Sequence, residues 1–309
     1  HHALLIQARG GMGADSLAYA ITRFLMCQNP DGHKSCGQCH SCQLMQAGTH
    51  PDYYVLQPEK GKSALGIDAV RETSEKLYEH SRLGGAKVVW IADAALLTEA
   101  AANALLKTLE EPPKNTWFFL ACEEPARLLA TLRSRCRFYH LAPPNEAYAL
   151  AWLEREISQP RETLLTALRL CGHAPAAALD LLAADTWGAR EKLCQALSAT
   201  LNSGDWLALL PSLNHDSAVA RLHWFSSLLL DALKHQQRIT RLTNVDSVDL
   251  VNRLANALSA SRLQAIAADA CTCREQLLSV TGLNRELILT ERLLRWEQYL
   301  QPGAVLPVS

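Results

Sequence analysis

Four cysteines carry the plainest chemistry in the sequence. They stand at Cys27, Cys36, Cys39 and Cys42, in the spacing C-x8-C-x2-C-x2-C. Thiolates are soft anionic ligands, and four of them close a tetrahedron around zinc at a Zn–S distance of about 2.3 Å. A C-x2-C pair sits on one tight turn, so both sulfurs reach a common ion. Pro30, Gly32 and Gly37 supply turn chemistry between the ligands. Four cysteine ligands leave no open coordination position, so a structural zinc site is expected rather than a catalytic one. His33, His40 and His50 lie close enough in sequence for one of them to replace a cysteine. Cys122, Cys136, Cys171, Cys194, Cys271 and Cys273 lack ligand spacing and read as packing residues.

A second motif is Ala8-Arg9-Gly10-Gly11-Met12-Gly13-Ala14-Asp15-Ser16, between an apolar run and a helical stretch. Strand, glycine-rich turn and helix together form the setting of a phosphate-binding loop, G-x-x-x-x-G-K-[S/T]. Aligned on Gly13, the first glycine position is Ala8, the lysine position is Ala14 and the hydroxyl position is Asp15. The lysine that neutralises the β- and γ-phosphates is missing, and so is the hydroxyl that ligates Mg²⁺. Shifting the frame to Ser16 restores a hydroxyl but no lysine. Asp15 puts a carboxylate at the start of the helix, which suits the helix dipole and repels phosphate. The run at 87–93 ends in Ala92-Asp93, where a Walker B pair would be Asp-Glu. The remaining carboxylate occupies the water-activating position, and the Mg²⁺ ligand is lost. Two losses in one site predict a connecting turn and no ATP hydrolysis.

These motifs need elements to position them. Short apolar runs at 3–7, 53–57, 87–92, 116–121 and 137–141 alternate with helical stretches at about 15–28, 67–80, 95–110 and 125–131. The runs are near-continuous rather than alternating, as strands covered on both faces require. This alternation predicts an α/β domain with a mostly parallel, doubly wound sheet and right-handed crossovers. Pro143-Pro144 marks the first break, and the strand pattern stops there. Short Ala/Leu-rich helices are expected over 145–185, interrupted at Pro160 and near Gly172–Pro175, with longer amphipathic helices from about 186 to 300. Leu250, Leu254 and Leu258 share one face, as do Leu263, Ile266 and Ala270. Asn284 is placed to cap a last helix whose stripe is Leu289, Leu293, Trp296 and Leu300. Three domains follow, 1–142, 143–185 and 186–309. The apolar stripes of the last exceed what a small bundle needs, so part of them should be buried against partners.

Composition narrows the class. The chain has 309 residues, 49% hydrophobic and 20% charged, which is enough to bury a sizeable core and excludes global disorder. Its 30 Lys+Arg against 31 Asp+Glu give a net charge of −1, which argues against holding nucleic acid by a strong global positive field. No apolar run approaches the roughly 18–20 residues that span a bilayer. No charged segment followed by an apolar one opens the chain. A cytoplasmic protein with no membrane partner is therefore expected. The sequence begins His1-His2 with no initiator methionine and enters an apolar run at once, so a preceding N-terminal segment is expected.

Four stretches carry a family resemblance. Asn103-Ala104-Leu105-Leu106-Lys107-Thr108-Leu109-Glu110-Glu111-Pro112-Pro113 resembles a signature of clamp-loader AAA+ subunits. Ser134-Arg135-Cys136 resembles the SRC motif of the same family. The four-cysteine insertion is similar to the zinc module of bacterial clamp loaders, and the Asn284-Arg285-Glu286-Leu287-Ile288 helix fits as well. The resemblance covers essentially the whole chain. It implies an α/β AAA+ domain (1–142, zinc module at about 27–50), a small helical lid (143–185) and an all-α collar (186–309) that builds a ring. It implies gamma/tau motor subunits and a delta subunit as partners, with the sliding clamp and primer-template DNA reached through the complex. It implies no ATP on this chain and no catalysis from it alone. On spacing alone Arg135 is one of three alternating basic residues with Arg133 and Arg137, a solvated surface pattern. The resemblance instead makes Arg135 an arginine finger reaching the γ-phosphate bound to a neighbouring motor subunit.

The chain also departs from a working ATPase of this family. The sensor-1 region reads Ala121-Cys122-Glu123-Glu124 without a polar Thr or Asn, and Pro175 of Gly172-His173-Ala174-Pro175 stands where sensor 2 has Arg. Lys107, Glu110 and Glu111 read as the charged face of a helix that stops at Pro112-Pro113. An active AAA+ ATPase with an atypical loop, and a zinc-containing DNA-binding module, are the alternative functions.

Overall fold

The computed structural model describes residues 1–280 and 282–306. It divides into two compact units, His1–Pro143 and Pro144–Ser309.

The first unit is built on five strands: β1 (Ala3–Gln7), β2 (Tyr53–Leu56), β3 (Lys87–Ile91), β4 (Thr116–Cys122) and β5 (Arg137–His140). All pair in parallel, in the order β2-β3-β4-β1-β5. The helices between them are α1 (Ala14–Met26), α2 (His40–Gln46), α3 (Ile67–Tyr78), α4 (Glu99–Glu110) and α5 (Ala130–Arg133). β3 is buried at every position, Lys87 included, as the apolar run Val88–Ile91 requires. β5 is exposed at every position, with Phe138 at 52% and Tyr139 at 47%. It is one of the two edge strands, and the expected burial on both faces fails there. The expected helix at 95–110 starts later. Asp93 caps a 3₁₀ turn over Ala94–Leu96, and the Thr98 hydroxyl then accepts from Ala101 N–H to begin α4. The expected helix at 125–131 is a 3₁₀ turn, Pro125–Arg127, followed by the short α5. Leu5, Val89, Phe118, Leu105, Leu109 and Leu132 meet in one core between sheet and helices.

The second unit is entirely helical among its described residues. Its helices are α6 (Glu146–Glu156), α7 (Arg161–Leu170), α8 (Pro175–Leu181), α9 (Ala184–Ser203), α10 (Leu210–Leu213), α11 (Ala218–Gln236), α12 (Val248–Ala257), α13 (Ala260–Ser279) and α14 (Arg285–Leu300). One apolar core runs through it, from Leu150, Leu164 and Leu168 to Phe225, Leu254, Ile266 and Trp296. Its centre is aromatic: Phe225 stacks on Trp296 at 4.9 Å, and Trp206 meets both edge-on at 6.5 Å. The Asn284 side chain accepts from Leu287 N–H, which starts α14 where the sequence places it. Several large apolar side chains near the end of α13 and along α14 stay exposed, among them Leu278, Val280 and Leu287. Among the described residues no helix is long and apolar enough to cross a membrane.

Candidate functional site

The four cysteines converge where α1 ends and α2 begins. Cys27 is the C-cap of α1 and Cys39 the N-cap of α2. Gly37, at φ 75°, makes the left-handed turn between Cys36 and Cys39. The four sulfurs lie within 4.8 Å of one another, and those of Cys27 and Cys39 are 4.0 Å apart. A tetrahedron with Zn–S of about 2.3 Å has S···S edges of about 3.8 Å, so the cluster has the size of a zinc site. Backbone N–H groups donate to the sulfurs: Cys36 to Cys27 at 3.2 Å, Cys39 to Cys36 at 3.3 Å and Cys42 to Cys39 at 3.5 Å. Backbone N–H groups, that of Gln38 foremost, lower the Cys36 thiol. Burial opposes ionisation of Cys39, but N–H donors from Gln28 and Cys42, together with the Cys42 and Cys36 side chains, outweigh it and bring the thiol to about 6. Burial, then the neighbouring Cys39, pushes Cys42 up to about 12. Ionising all four thiols this close together is opposed by their mutual repulsion, and a divalent cation is the charge that would balance it. Zinc fits the donor set.

No histidine replaces a cysteine in this cluster, which is the only group of its kind among the described residues. His33 and His40 are exposed. His50 is engaged elsewhere. Its Nδ1 accepts from Asp52 N–H at 3.2 Å, which leaves the proton on Nε2, 2.8 Å from the Ser41 oxygen. Burial lowers the His50 pKa and agrees with a neutral ring.

The glycine-rich turn links β1 to α1. Gly11 and Gly13 adopt positive φ, 77° and 87°. A cavity of about 510 Å³ opens beside the turn, with Ala8, Arg9 and Met12 on its lining and Glu123, Glu124 and His140 also contributing. Arg9 is the sole cation among its lining residues, against two carboxylates. Asp15 is exposed in the first turn of α1. Ala14 offers no charge and Ala92 no ligand. The Asp93 carboxylate accepts from Ala95 N–H at 2.9 Å, which makes it a cap on the turn after β3. Cys122, in the sensor-1 region, is buried at the end of β4. Burial, then Asp93, raises its thiol to about 11.

Ser134, Arg135 and Cys136 divide one turn between them. The Ser134 hydroxyl donates to Thr131 O at 3.0 Å, which closes the end of α5. Cys136 packs against the sheet core, and burial raises its thiol to about 11. Between them the Arg135 side chain is half-buried, with 28% of it exposed. Its Nη1 donates to Thr131 O at 2.7 Å, and its Nε donates to Glu110 Oε1 at 2.8 Å. Arg133 and Arg137 are exposed.

Glu110, which the sequence reads only as part of a charged helix face, is the partner of Arg135. It ends α4, where the helix dipole disfavours a carboxylate. That misplacement is the signal that points to a cationic partner. Pro175 of the sensor-2 region begins α8, and His173 before it takes φ 67° with its Nε2 3.0 Å from Glu146.

A parallel sheet with an altered phosphate loop and a Ser-Arg-Cys turn, followed by a helical unit, defines a AAA+-type module of the clamp-loader kind. Comparison with known proteins agrees along the whole chain. Residues 1–145 match the family model for DNA polymerase III, delta subunit. Residues 144–183 match that for the DNA polymerase III subunit delta' AAA+ ATPase lid domain, and 184–298 that for the delta subunit, C terminal. The chain is 66% identical to DNA polymerase III subunit delta' of Escherichia coli (strain K12), over 100% of the chain and 92% of that protein. It is 54% identical to the Yersinia pestis counterpart, over 98% and 91%. DNA polymerase III subunit tau/gamma of Haemophilus influenzae is 31% identical over 52% of the chain and 23% of its own length. The chain belongs to the DNA polymerase III subunit delta' family.

Proposed function

We propose that the chain is the non-hydrolysing stator of a clamp loader, the complex that loads the sliding clamp onto primed DNA during replication. It stands beside gamma/tau motor subunits and a delta subunit, and it meets the clamp and primer-template DNA through the complex. Residues 1–142 form the AAA+ body, with a structural zinc stapling the module at about 27–50. Residues 143–185 serve as the lid and 186–309 as the ring-building collar. The exposed leucines of α13 and α14 support a collar that docks to partners.

One contrast carries the reading. The chain's own phosphate turn has Ala14 where a lysine would sit and two glutamates on its cavity, while Arg135 stays partly exposed on the turn after α5. An arginine supplied in trans stabilises the charge that develops on the transferring phosphoryl group, and such fingers are worth about 10³–10⁵ in rate. Arg is suited to this by its planar, permanently charged fork. The chain thus completes a neighbour's site and leaves its own silent.

The test has two arms. Labelled ATP is titrated into the purified chain at equilibrium, where no micromolar binding is expected; such binding would favour an ATPase with an atypical loop. The chain is then mixed with motor subunits, and Arg135→Ala is expected to lower ATPase while assembly is unchanged. Normal ATPase in that complex refutes the finger.

A further inference from the structure

We propose that Glu110 is a positioning residue for Arg135, holding the guanidinium in the orientation from which it is presented to the neighbouring subunit. The inference rests on the trans role of Arg135 given above.

A guanidinium has five N–H donors in one plane. Here Nε and Nη2 both donate to Glu110 Oε1, and Nη1 donates to Thr131 O. Three donors on three nitrogens are thereby fixed, and the plane of the group with them. One N–H remains free on each terminal nitrogen. That is the pair a phosphoryl oxygen would meet.

Both anchors sit on immobilised backbone. α4 is held by buried Leu105 and Leu109, and His2 Nε2 lies 2.7 Å from the Leu109 carbonyl oxygen. Pro112-Pro113 prevents α4 from extending. α5 is held by buried Leu132, and the Thr131 carbonyl that receives Arg135 also receives Ser134. An arginine in solvent samples many rotamers. This one is drawn into a single arrangement between two rigid ends. Glu110 is 51% exposed, so the pair adds little to folding stability. Its consequence falls instead on the rate at the neighbour's site, because a misplacement of 1 Å can cost about 100-fold.

The test is steady-state ATPase of the complex reconstituted from motor subunits and five versions of this chain: unaltered, Arg135→Ala, Glu110→Ala, Glu110→Gln, and the Arg135→Ala, Glu110→Ala double variant. Glu110→Ala is expected to lower kcat at the adjacent site about tenfold with KM changed less than about twofold. Glu110→Gln keeps an acceptor and the shape, so it loses less. In the Arg135→Ala background, removing Glu110 costs nothing more, because Glu110 acts only through Arg135. The thermal transition of the chain stays put in every Glu110 variant. If Arg135→Ala impairs kcat and Glu110→Ala does not, positioning is refuted and the finger stands. The same holds if removing Glu110 costs as much again without Arg135. If Arg135→Ala itself leaves kcat unchanged, the trans role fails and takes this inference with it.

Discussion

Replacing Asp246 by Ala should unfold the helical unit at a markedly lower temperature. Asp246 receives Arg190 on both carboxylate oxygens, at 2.6 and 3.0 Å, and the Thr166 hydroxyl at 3.0 Å. Arg190 is 1% exposed, lies over the Trp187 ring at 4.6 Å, and donates once more to Asn244 Oδ1 at 2.8 Å. Asn244 is in turn held by the fully buried Asp231. The ion pair therefore knots α7, α9 and the α11–α12 connection together. Breaking one side of a buried pair costs about 3–5 kcal/mol, because the other charge is left in the core without water. Asn244 Oδ1 would be the one acceptor left to Arg190, whose Nε has no partner even in the intact pair. For a unit of this size about 2–4 °C accompany each kcal/mol, so the transition should fall by about 6–20 °C. Differential scanning calorimetry of the full chain measures it. Arg190→Met combined with Asp246→Leu removes both charges and should recover most of the loss. A shift below about 2 °C for Asp246→Ala, or a double variant worse than the single one, refutes the reasoning.

Three further outcomes follow from the same geometry. Elemental analysis should find about one zinc per chain, and Cys42→Ser or a strong chelator should remove it and destabilise the first unit, since metal binding and folding are coupled. Glu146→Gln should lower stability at neutral pH by about 2–3 kcal/mol, a figure reduced for its partial exposure. The Arg169 guanidinium, with His173 contributing, holds the Glu146 carboxyl at about 2, below its ordinary 4.5. A depressed carboxyl stabilises the fold fully above 4.5, and that contribution drains away as pH falls towards 2, so urea unfolding of the variant should show a flatter profile across that window. A fragment ending at Pro143 should give a cooperative transition on its own. One ending near 186 should aggregate, because Leu164 and Leu168 lose the core they share with Phe225 and Leu254.

The strands were legible because Lys87–Ile91 and Thr116–Cys122 are apolar at nearly every position, and β/α alternation then dictates parallel pairing. The exposure of β5 was not, because its sequence carries the same aromatic character as a buried strand and only strand order makes it an edge. α2 escaped notice at seven residues, its start fixed by the Cys39 sulfur rather than by periodicity. The cysteine cluster was fully legible, since C-x2-C spacing is itself a geometric statement. The Glu110–Arg135 pair joins residues 25 positions apart, which no local pattern reports. The helix breaks at Pro160 and Gly172–Pro175 were readable as ends. That helices on both sides of residue 183 share one core was not, since stripes show which face is buried and not against what.

If this chain lends Arg135 to a neighbour while doing no chemistry itself, the effect must fall on one site of the complex. The most direct test is a clamp loader in which every motor site except the one beside this chain is silenced, with single-turnover ATP hydrolysis followed at the site that remains. A fall of about 10³-fold or more is expected for Arg135→Ala, with Arg135→Lys unable to restore it. Turnover equal to that of the unaltered complex would contradict it.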